Sequence, residues 1–156
     1  MLAVERFSDI YSADVLRISL PPDQLQYVCT PESFISDRSD TTHLYLIKMG
    51  DEIIGFFKVD LAYSTSYSFC PEDGLGLRAF AIDMACQGRG IGVLSVNSIV
   101  DYLAKAYSNY ATVYLTVNCN NLKAIRCYKK CDFLDTGDLY LGGTAGPQHV
   151  LRRSLR

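Results

Sequence analysis

The sequence predicts a mixed α/β (α+β) fold, with about seven strands and four helices built around one sheet. Short apolar runs with alternating polarity in the first half are typical of antiparallel strands. A strand, a helix and a strand follow one another in the second half, which is typical of a parallel crossover. The strands are therefore expected to be mostly antiparallel neighbours, with one central parallel βαβ crossover.

Length and composition favour a single domain over residues 1–156. Hydrophobic residues make up 49% of the chain and charged residues 21%, so a chain of this length can bury a sizeable core. The sequence contains no internal repeat, low-complexity segment or domain linker.

The N-terminal elements are short. Residues 2–7 predict a first strand, and a helix is expected after Ser12, whose hydroxyl can cap it. Pro21-Pro22 ends that helix. Residues 25–40 mix apolar residues with helix breakers, which predicts a short helix inside a mobile segment of the kind that often contacts substrates.

A β-hairpin is predicted next. Residues 43–49 and 53–61 are rich in strand formers, and Gly50-Asp51 lies between them. A connector over residues 64–76, rich in Ser, Tyr, Pro and Gly, leads to a short strand at 77–83.

The second half changes to a helical period. Apolar residues recur at spacings of three and four after Gly92, at Val96, Ile99, Val100, Leu103 and Tyr107. A strand is predicted at 112–117 and a helix at 120–130, with Leu122, Ile125 and Tyr128 on one side and Lys123, Arg126 and Lys130 on the other. Two final strands are predicted at 133–141 and 148–155.

Charge and cysteine content narrow the function classes. Lys and Arg number 15 against 17 Asp and Glu, without the basic patch that a nucleic-acid partner requires. No apolar run is long enough to cross a membrane, and Glu5-Arg6 interrupts the position of a secretory segment, so we expect a cytoplasmic protein with no membrane partner. Six cysteines without a C-x-x-C motif predict reduced thiols and no metal site.

The most informative segment is the glycine-rich turn at 87–92, where a strand passes into a helix. A helix N-terminus presents unpaired backbone N–H groups to an anion, and glycines at 88, 90 and 92 let a phosphate approach the backbone. The turn lacks the G-K-[ST] ending of an ATP-binding loop. Its G-x-G-x-G spacing and the position of Asp101 inside the helix do not match a dinucleotide fingerprint. A purely structural turn stays open as an alternative.

Two ordered motifs resemble those of the GNAT superfamily of N-acetyltransferases. Gln87-x-x-Gly90-x-Gly92 is similar to its acetyl-CoA signature, and Asn121-x-x-Ala124-x-x-x-Tyr128, followed by Lys130 and Phe133, is similar to its second motif. The resemblance covers residues 77–133. It implies a GNAT-like fold with a splayed strand pair, acetyl-CoA as co-substrate, and acetyl transfer to a primary amine of a small molecule or peptide by direct attack in a ternary complex. It also allows a homodimer.

The resemblance implies a role for each matching position. Backbone groups of Phe80, Ala81 and Ile82 would pair with the pantetheine arm. Asn121 would bind the cofactor from the following helix, and Tyr128 would be the general acid that protonates the departing thiolate. Backbone amides of one run would hold the pyrophosphate, helped by the Arg89 guanidinium: Gln87, Gly88, Arg89, Gly90, Ile91 and Gly92.

The chain departs from the family pattern at the expected base. An alkyl amine with a pKa near 10.4 is almost fully protonated at pH 7, so attack requires proton removal. Many relatives carry a Glu where this chain has Gly76, so Glu72 and Asp73 acting through water are the candidate bases, with Asp60 and Asp83 as weaker ones. The missing Glu supports an alternative, a catalytically silent acyl-CoA-binding sensor or interaction module.

Two further expectations follow. Asp132 replaces the Gly that normally precedes Phe133, and Asp tolerates the positive φ that a helix end requires there. Residues 19–42 and the loop at 137–149 are expected to choose the acceptor amine, but they carry no recognisable motif.

Overall fold

A computed structural model describes all 156 residues as one seven-stranded sheet with helices on both faces. The strand order is β1-β2-β3-β4-β5-β7-β6. The strands are β1 (Leu2–Arg6), β2 (Thr42–Met49), β3 (Glu52–Asp60), β4 (Gly74–Ile82), β5 (Thr112–Asn118), β6 (Leu134–Tyr140) and β7 (Gln148–Ser154). The helices are α1 (Ser12–Leu16), α2 (Pro31–Ser36), α3 (Tyr63–Ser66), α4 (Ile91–Ala106) and α5 (Leu122–Lys130), with short 3₁₀ turns at Asp9–Tyr11 and Met84–Cys86.

The predicted fold class is confirmed, with local differences. The chain forms five α-helices rather than four, because α3 lies inside the segment expected to be a connector. Strand β4 begins at Gly74, three residues before the predicted start. Helix α1 begins as expected, but Tyr11 is its N-cap and no side chain caps it, so the predicted Ser12 cap is wrong. Asp132 has a φ of +64°, as its position required.

Strands β4 and β5 are the only parallel neighbours, and helix α4 is the crossover between them. Their pairing covers three positions, from Gly74 opposite Thr112 to Gly76 opposite Tyr114. Beyond Gly76, β4 stays hydrogen-bonded to β3 while β5 stays bonded to β7. The two parallel strands therefore diverge toward their C-terminal ends, and the predicted splay is confirmed.

Two apolar clusters cover the faces of the sheet. Helices α4 and α5 pack on one face through side chains such as Leu103 and Tyr128, and α1 and α2 pack on the other through Val15 and Phe34. Leu122 was expected on the inner side of α5 but is exposed. All six cysteines are free thiols. No helix has both the length and the apolar character needed to cross a membrane.

Candidate active site

A cavity of about 480 Å³ lies where β4 and β5 diverge. The C-terminal parts of both strands line it, together with the first turn of α4 and one side of α5. Two loops complete the wall, one at residues 24–28 and one at 143–145. These loops lie inside the two segments that the sequence analysis associated with the acceptor.

The β4 wall contains a β-bulge. Arg78 pairs with Lys58 and Ala81 pairs with Phe56, so Ala79 and Phe80 together oppose a single residue of β3. Ala79 has a φ of +55°, a left-handed conformation that costs about 1–2 kcal/mol for a residue with a Cβ. Such strain is concentrated at functional sites, and a bulge takes backbone groups out of the sheet ladder. Beyond Gly76 the edge of β4 that faces β5 has no strand partner, so backbone groups on this side of the cavity wall are available to a ligand.

The glycine-rich turn at the entrance of α4 has the properties of an anion cradle. None of the loop hydrogen bonds uses the N–H of residues 88–90 as a donor, and the first N–H groups of α4 have no partner within the helix. Gly88 and Gly90 have φ values of +83° and +73°. A Cβ at either position would find no atom within 4 Å, so the space over them is open. The turn fits a phosphate group.

The predicted phosphate residues do not all reach the cavity. Gln87, Gly88 and Gly92 line it, whereas Gly90 is the N-cap of α4 and Ile91 is buried in the core. The Arg89 side chain is exposed and donates to the Ala85 carbonyl at 3.4 Å, and its help to the phosphate stays a prediction.

The Gln87 side chain connects three parts of the site. Its Nε2 donates to the Ile82 carbonyl at 2.8 Å, at the end of β4. Its amide also pairs reciprocally with that of Gln24, at 3.2 and 3.3 Å. The ammonium of Lys123 donates to its Oε1 at 2.8 Å. Gln87 therefore holds the turn, the strand end and the 24–28 loop in one arrangement.

Lys123 is the cation that the sequence analysis missed. It lines the cavity beside the turn, although helical spacing had placed it on the outer side of α5 with Arg126 and Lys130. The predicted cofactor contact of Asn121, two residues earlier, could have indicated that Lys123 also faces the cavity. The N-termini of α4 and α5 both follow the carboxyl ends of the parallel strands, so a side chain in the first turn of α5 faces the first turn of α4.

Asn121 and Tyr128 lie in the cavity wall, as predicted. The Asn121 side chain caps α5 by accepting from the Ala124 N–H at 3.4 Å. The Tyr128 ring packs between Phe80 and Phe133, and its hydroxyl makes no hydrogen bond to the protein. Burial raises the pKa of Tyr128, so the hydroxyl is protonated at neutral pH. It can donate a proton but cannot serve as a base.

The predicted bases do not reach the cavity. Glu72 and Asp73 are exposed and precede β4, while the bulge at Ala79 lies five residues beyond the strand start at Gly74, a span of about 16 Å. One bridging water cannot cover that distance, so a base role for either carboxylate requires a longer chain of waters and stays a prediction. The weaker candidate Asp83 caps the following 3₁₀ turn through the Ala85 N–H.

Tyr63 occupies the space beside Gly76, where many relatives carry a glutamate. A Cβ on Gly76 would clash with the buried Tyr63 ring. No Asp, Glu or His side chain lines the cavity, and its charged lining residues are Arg78 and Lys123. The cavity thus contains no side chain that accepts a proton readily at neutral pH.

Aromatic side chains form the part of the cavity away from the turn. Tyr63, Tyr67 and Tyr140 line it, with ring centroids 4.5 Å apart for Tyr63 and Tyr67 and 5.2 Å apart for Tyr67 and Tyr140. We call this set, with Arg78, the tyrosine end. The tyrosine end was not predicted from the sequence, because its three rings come from distant segments: α3, the residues just after it, and β6. The only indication in the sequence was its high number of tyrosines, 11 in all.

Relatives that are similar to this chain differ in what their names say they act on. The spermine/spermidine N(1)-acetyltransferase of Bacillus subtilis (strain 168) is 24% identical over 147 residues, which cover 90% of this chain and 92% of that protein. The crystal structure of an aminoglycoside acetyltransferase, AAC(6')-Ib, in complex with coenzyme A has a TM-score of 0.79 at 16% identity, covering 99% of this chain and 95% of that one. The ribosomal-protein-S18-alanine N-acetyltransferase of Escherichia coli has a TM-score of 0.69 at 16% identity, covering 99% and 94%.

The family assignment rests on most of the chain. The model of the acetyltransferase (GNAT) family matches residues 6–133, which include the divergent strands, the glycine-rich turn and helix α5. Both motifs lie within that range, and the sheet has the parallel pair that the resemblance implied. The chain belongs to the GNAT family of N-acetyltransferases, which use acetyl-CoA as co-substrate.

Proposed function

We propose that the protein transfers the acetyl group of acetyl-CoA to a primary amine of a small molecule or peptide, by direct attack in a ternary complex. One observation carries this proposal. A single cavity joins a turn with unpaired N–H groups to an aromatic end bounded by two loops, so both substrates can be bound at once. Bound acetyl-CoA supplies an activated thioester, and the chain's own residues bind, orient and exchange protons.

The turn end of the cavity would hold the pyrophosphate. Backbone N–H groups of the turn and of the first turn of α4, including those of Gly88 and Gly92, would bind the anion, and Lys123 adds a positive charge. Lys123 now donates to Gln87, a neutral partner that an anionic phosphate can replace. Asn121 fixes the start of α5 next to this charge.

The β4 edge would hold the pantetheine arm and the acetyl group. Phe80, Ala81 and Ile82 line the gap between the strands, so their backbone groups can pair with an extended ligand as an added strand would. The bulge at Ala79 and Phe80 interrupts the regular pairing of β4 with β3, which can leave a backbone N–H for a ligand. We assign it the task of stabilising the negative charge that develops on the acetyl oxygen.

Tyr128 would protonate the departing thiolate. Its pKa is raised, so it holds a proton throughout the neutral range. Its hydroxyl is not engaged elsewhere in the protein. A thiolate with a pKa near about 8.5 is already a moderately good leaving group, so Tyr128 should accelerate the reaction without being indispensable.

The amine proton would leave through water. Because the cavity lacks a carboxylate or histidine, the acceptor must arrive neutral or lose its proton to solvent. The reactive fraction of the acceptor is then set by its own pKa, and the rate should increase with pH up to that value.

The test is thiol release in a mixture of purified protein, acetyl-CoA and individual amines, with acetyl-CoA binding measured separately by calorimetry. The proposal requires that acetyl-CoA binds and that at least one amine produces equal amounts of thiol and acetylated amine. Hydrolysis without acetylated amine would refute direct transfer.

A silent acyl-CoA-binding module is the second candidate. The observation in its favour is the replacement of the usual glutamate by Gly76 with the Tyr63 ring against it. Tight acetyl-CoA binding without thiol release across polyamines, amino acids, aminoglycosides and peptide N-termini would establish this alternative.

A further inference from the structure

No carboxylate lines the tyrosine end of the cavity, and the charged side chain in its lining is that of Arg78. Arg78 is its only ionised lining residue at neutral pH, and its side chain is 36% exposed. The tyrosines beside it are neutral, because burial raises the pKa of Tyr67 and of Tyr63. An acceptor entering this end therefore meets aromatic faces and a guanidinium.

The nearest carboxylates are already paired. Lys58 is buried and donates to Asp37 at 2.6 Å. Arg78 lies 3.3 Å from Asp60 and 3.6 Å from Asp37, and Asp60 also accepts from the Ala62 N–H. Two cations and two anions make this cluster neutral. A guanidinium has five N–H donors, so those not directed at the two carboxylates remain for an incoming anion.

This charge arrangement disfavours a polycationic acceptor. Every additional ammonium brought into the cavity loses hydration and finds no unpaired carboxylate to compensate it. A carboxylate on the acceptor would instead form a charge-assisted hydrogen bond with Arg78, of the strong kind that guanidinium groups make. An acceptor carboxylate would therefore find a guanidinium donor in the lining, whereas an added ammonium would find no carboxylate there.

The absence of a base in the cavity favours an acceptor amine with a low pKa. At pH 7 an α-amino group with a pKa of about 7.7–8.0 is neutral in roughly one molecule in six to eleven, whereas an alkyl amine with a pKa of about 10.4 is neutral in roughly one in a few thousand. The α-amino compound therefore offers a few hundred times more of the reactive form. A cavity without a proton acceptor favours such an amine.

We propose that the acceptor is a small α-amino compound that also carries a carboxylate, of the dipeptide class, with the carboxylate paired to Arg78. The inference rests on the proposed acetyl transfer and gives its substrate class. It separates this chain from relatives whose names specify polyamines or aminoglycosides, because the lining of the cavity, rather than the fold, determines the acceptor.

The experiment compares Ala-Ala with its C-terminal amide, which has a similar α-amino pKa but no carboxylate. Thiol release should give a kcat/KM about tenfold higher for the free acid in the wild-type protein. The Arg78→Gln variant should reduce that ratio to near one. The matched control Arg152→Gln removes an exposed cation outside the cavity and should leave the ratio as in the wild type.

Binding gives a second measurement that does not depend on turnover. With CoA present, calorimetry should show Ala-Ala binding to the wild-type protein about tenfold more tightly than to Arg78→Gln. If thermal denaturation shows that Arg78→Gln is unfolded, Arg78→Lys takes its place, and its ratio should lie between one and the wild-type value.

The outcomes separate this inference from the proposed function. A higher kcat/KM for spermidine or kanamycin than for Ala-Ala would overturn the inference while supporting acetyl transfer. An unchanged ratio in the Arg78 variants would also overturn it. No thiol release from any amine would refute both proposals together.

Discussion

Gly88→Ala tests whether the open space over the turn is where a phosphate sits. Gly88 has a φ of +83° and Gly50, in the β2–β3 turn, has a φ of +61°, and a Cβ at either position would find no atom within 4 Å. Alanine in this conformation costs about 1 kcal/mol, so each variant should lower the melting temperature by about 2–4 °C. Gly50 does not line the cavity, so Gly50→Ala is a control with the same backbone strain.

Only the Gly88 variant should lose affinity for CoA. Its new methyl group lies where an oxygen of the phosphate must approach the backbone, and one lost hydrogen bond to a charged group is worth about 1.5–3 kcal/mol. The dissociation constant should therefore increase about ten- to a hundredfold. Calorimetric titration of both variants with CoA measures it. Equal affinities for CoA in the two variants would refute the assignment of the turn.

Four further predictions concern the site. Lys123→Gln should weaken CoA binding about five- to twentyfold and make it less sensitive to salt. The control Arg126→Gln, on the outer side of α5, should change neither the affinity nor its salt dependence. Titrations with CoA at two salt concentrations check both variants. Tyr128→Phe should lower kcat about ten- to a hundredfold with unchanged CoA affinity, while Tyr110→Phe outside the cavity should change neither; normal turnover in Tyr128→Phe would remove its role as acid. With an α-amino acceptor, kcat/KM should rise about tenfold per pH unit below the pKa of the amine, and a plateau below pH 7 would reveal a base in the protein. Gly55→Ala should reduce the free energy of unfolding by about 2 kcal/mol in denaturant titrations, because its Cβ would lie 2.5 Å from a carbonyl oxygen of β4, and a stability equal to wild type would contradict this.

The sequence was sufficient to predict a part of the site where a single short segment forms all of it. The turn at 87–92 was predicted because strand, glycines and helix are adjacent in the chain, and Asn121 and Tyr128 followed from the resemblance of residues 121–133 to the second GNAT motif. The distance of Glu72 and Asp73 from the cavity could not be predicted, because they are close to the site in sequence but lie at the opposite end of β4. Residues that are a few positions apart in an extended strand can be far apart in space.

Features that depend on contacts between distant segments could not be predicted. Nothing in the sequence around Ala79 indicates a positive φ, which alanine disfavours and the sheet imposes through the bulge against β3. The packing of Tyr63 on Gly76 joins two elements whose relative position is set by the whole core. The ion pair of Arg78 with Asp37 likewise joins residues 41 positions apart in the chain, and Asp37 lies at the end of α2. The acceptor class depends on such contacts.

The central claim is that this cavity moves an acetyl group directly from acetyl-CoA to an amine. The most direct measurement is a paired assay at pH 8 with purified protein, acetyl-CoA and Ala-Ala, in which free thiol and N-acetylated dipeptide are quantified in the same sample. The account predicts one acetylated amine for each thiol released, and a slower reaction for Gly88→Ala at limiting acetyl-CoA. Bound acetyl-CoA that stays intact in the presence of this and every other amine would contradict it.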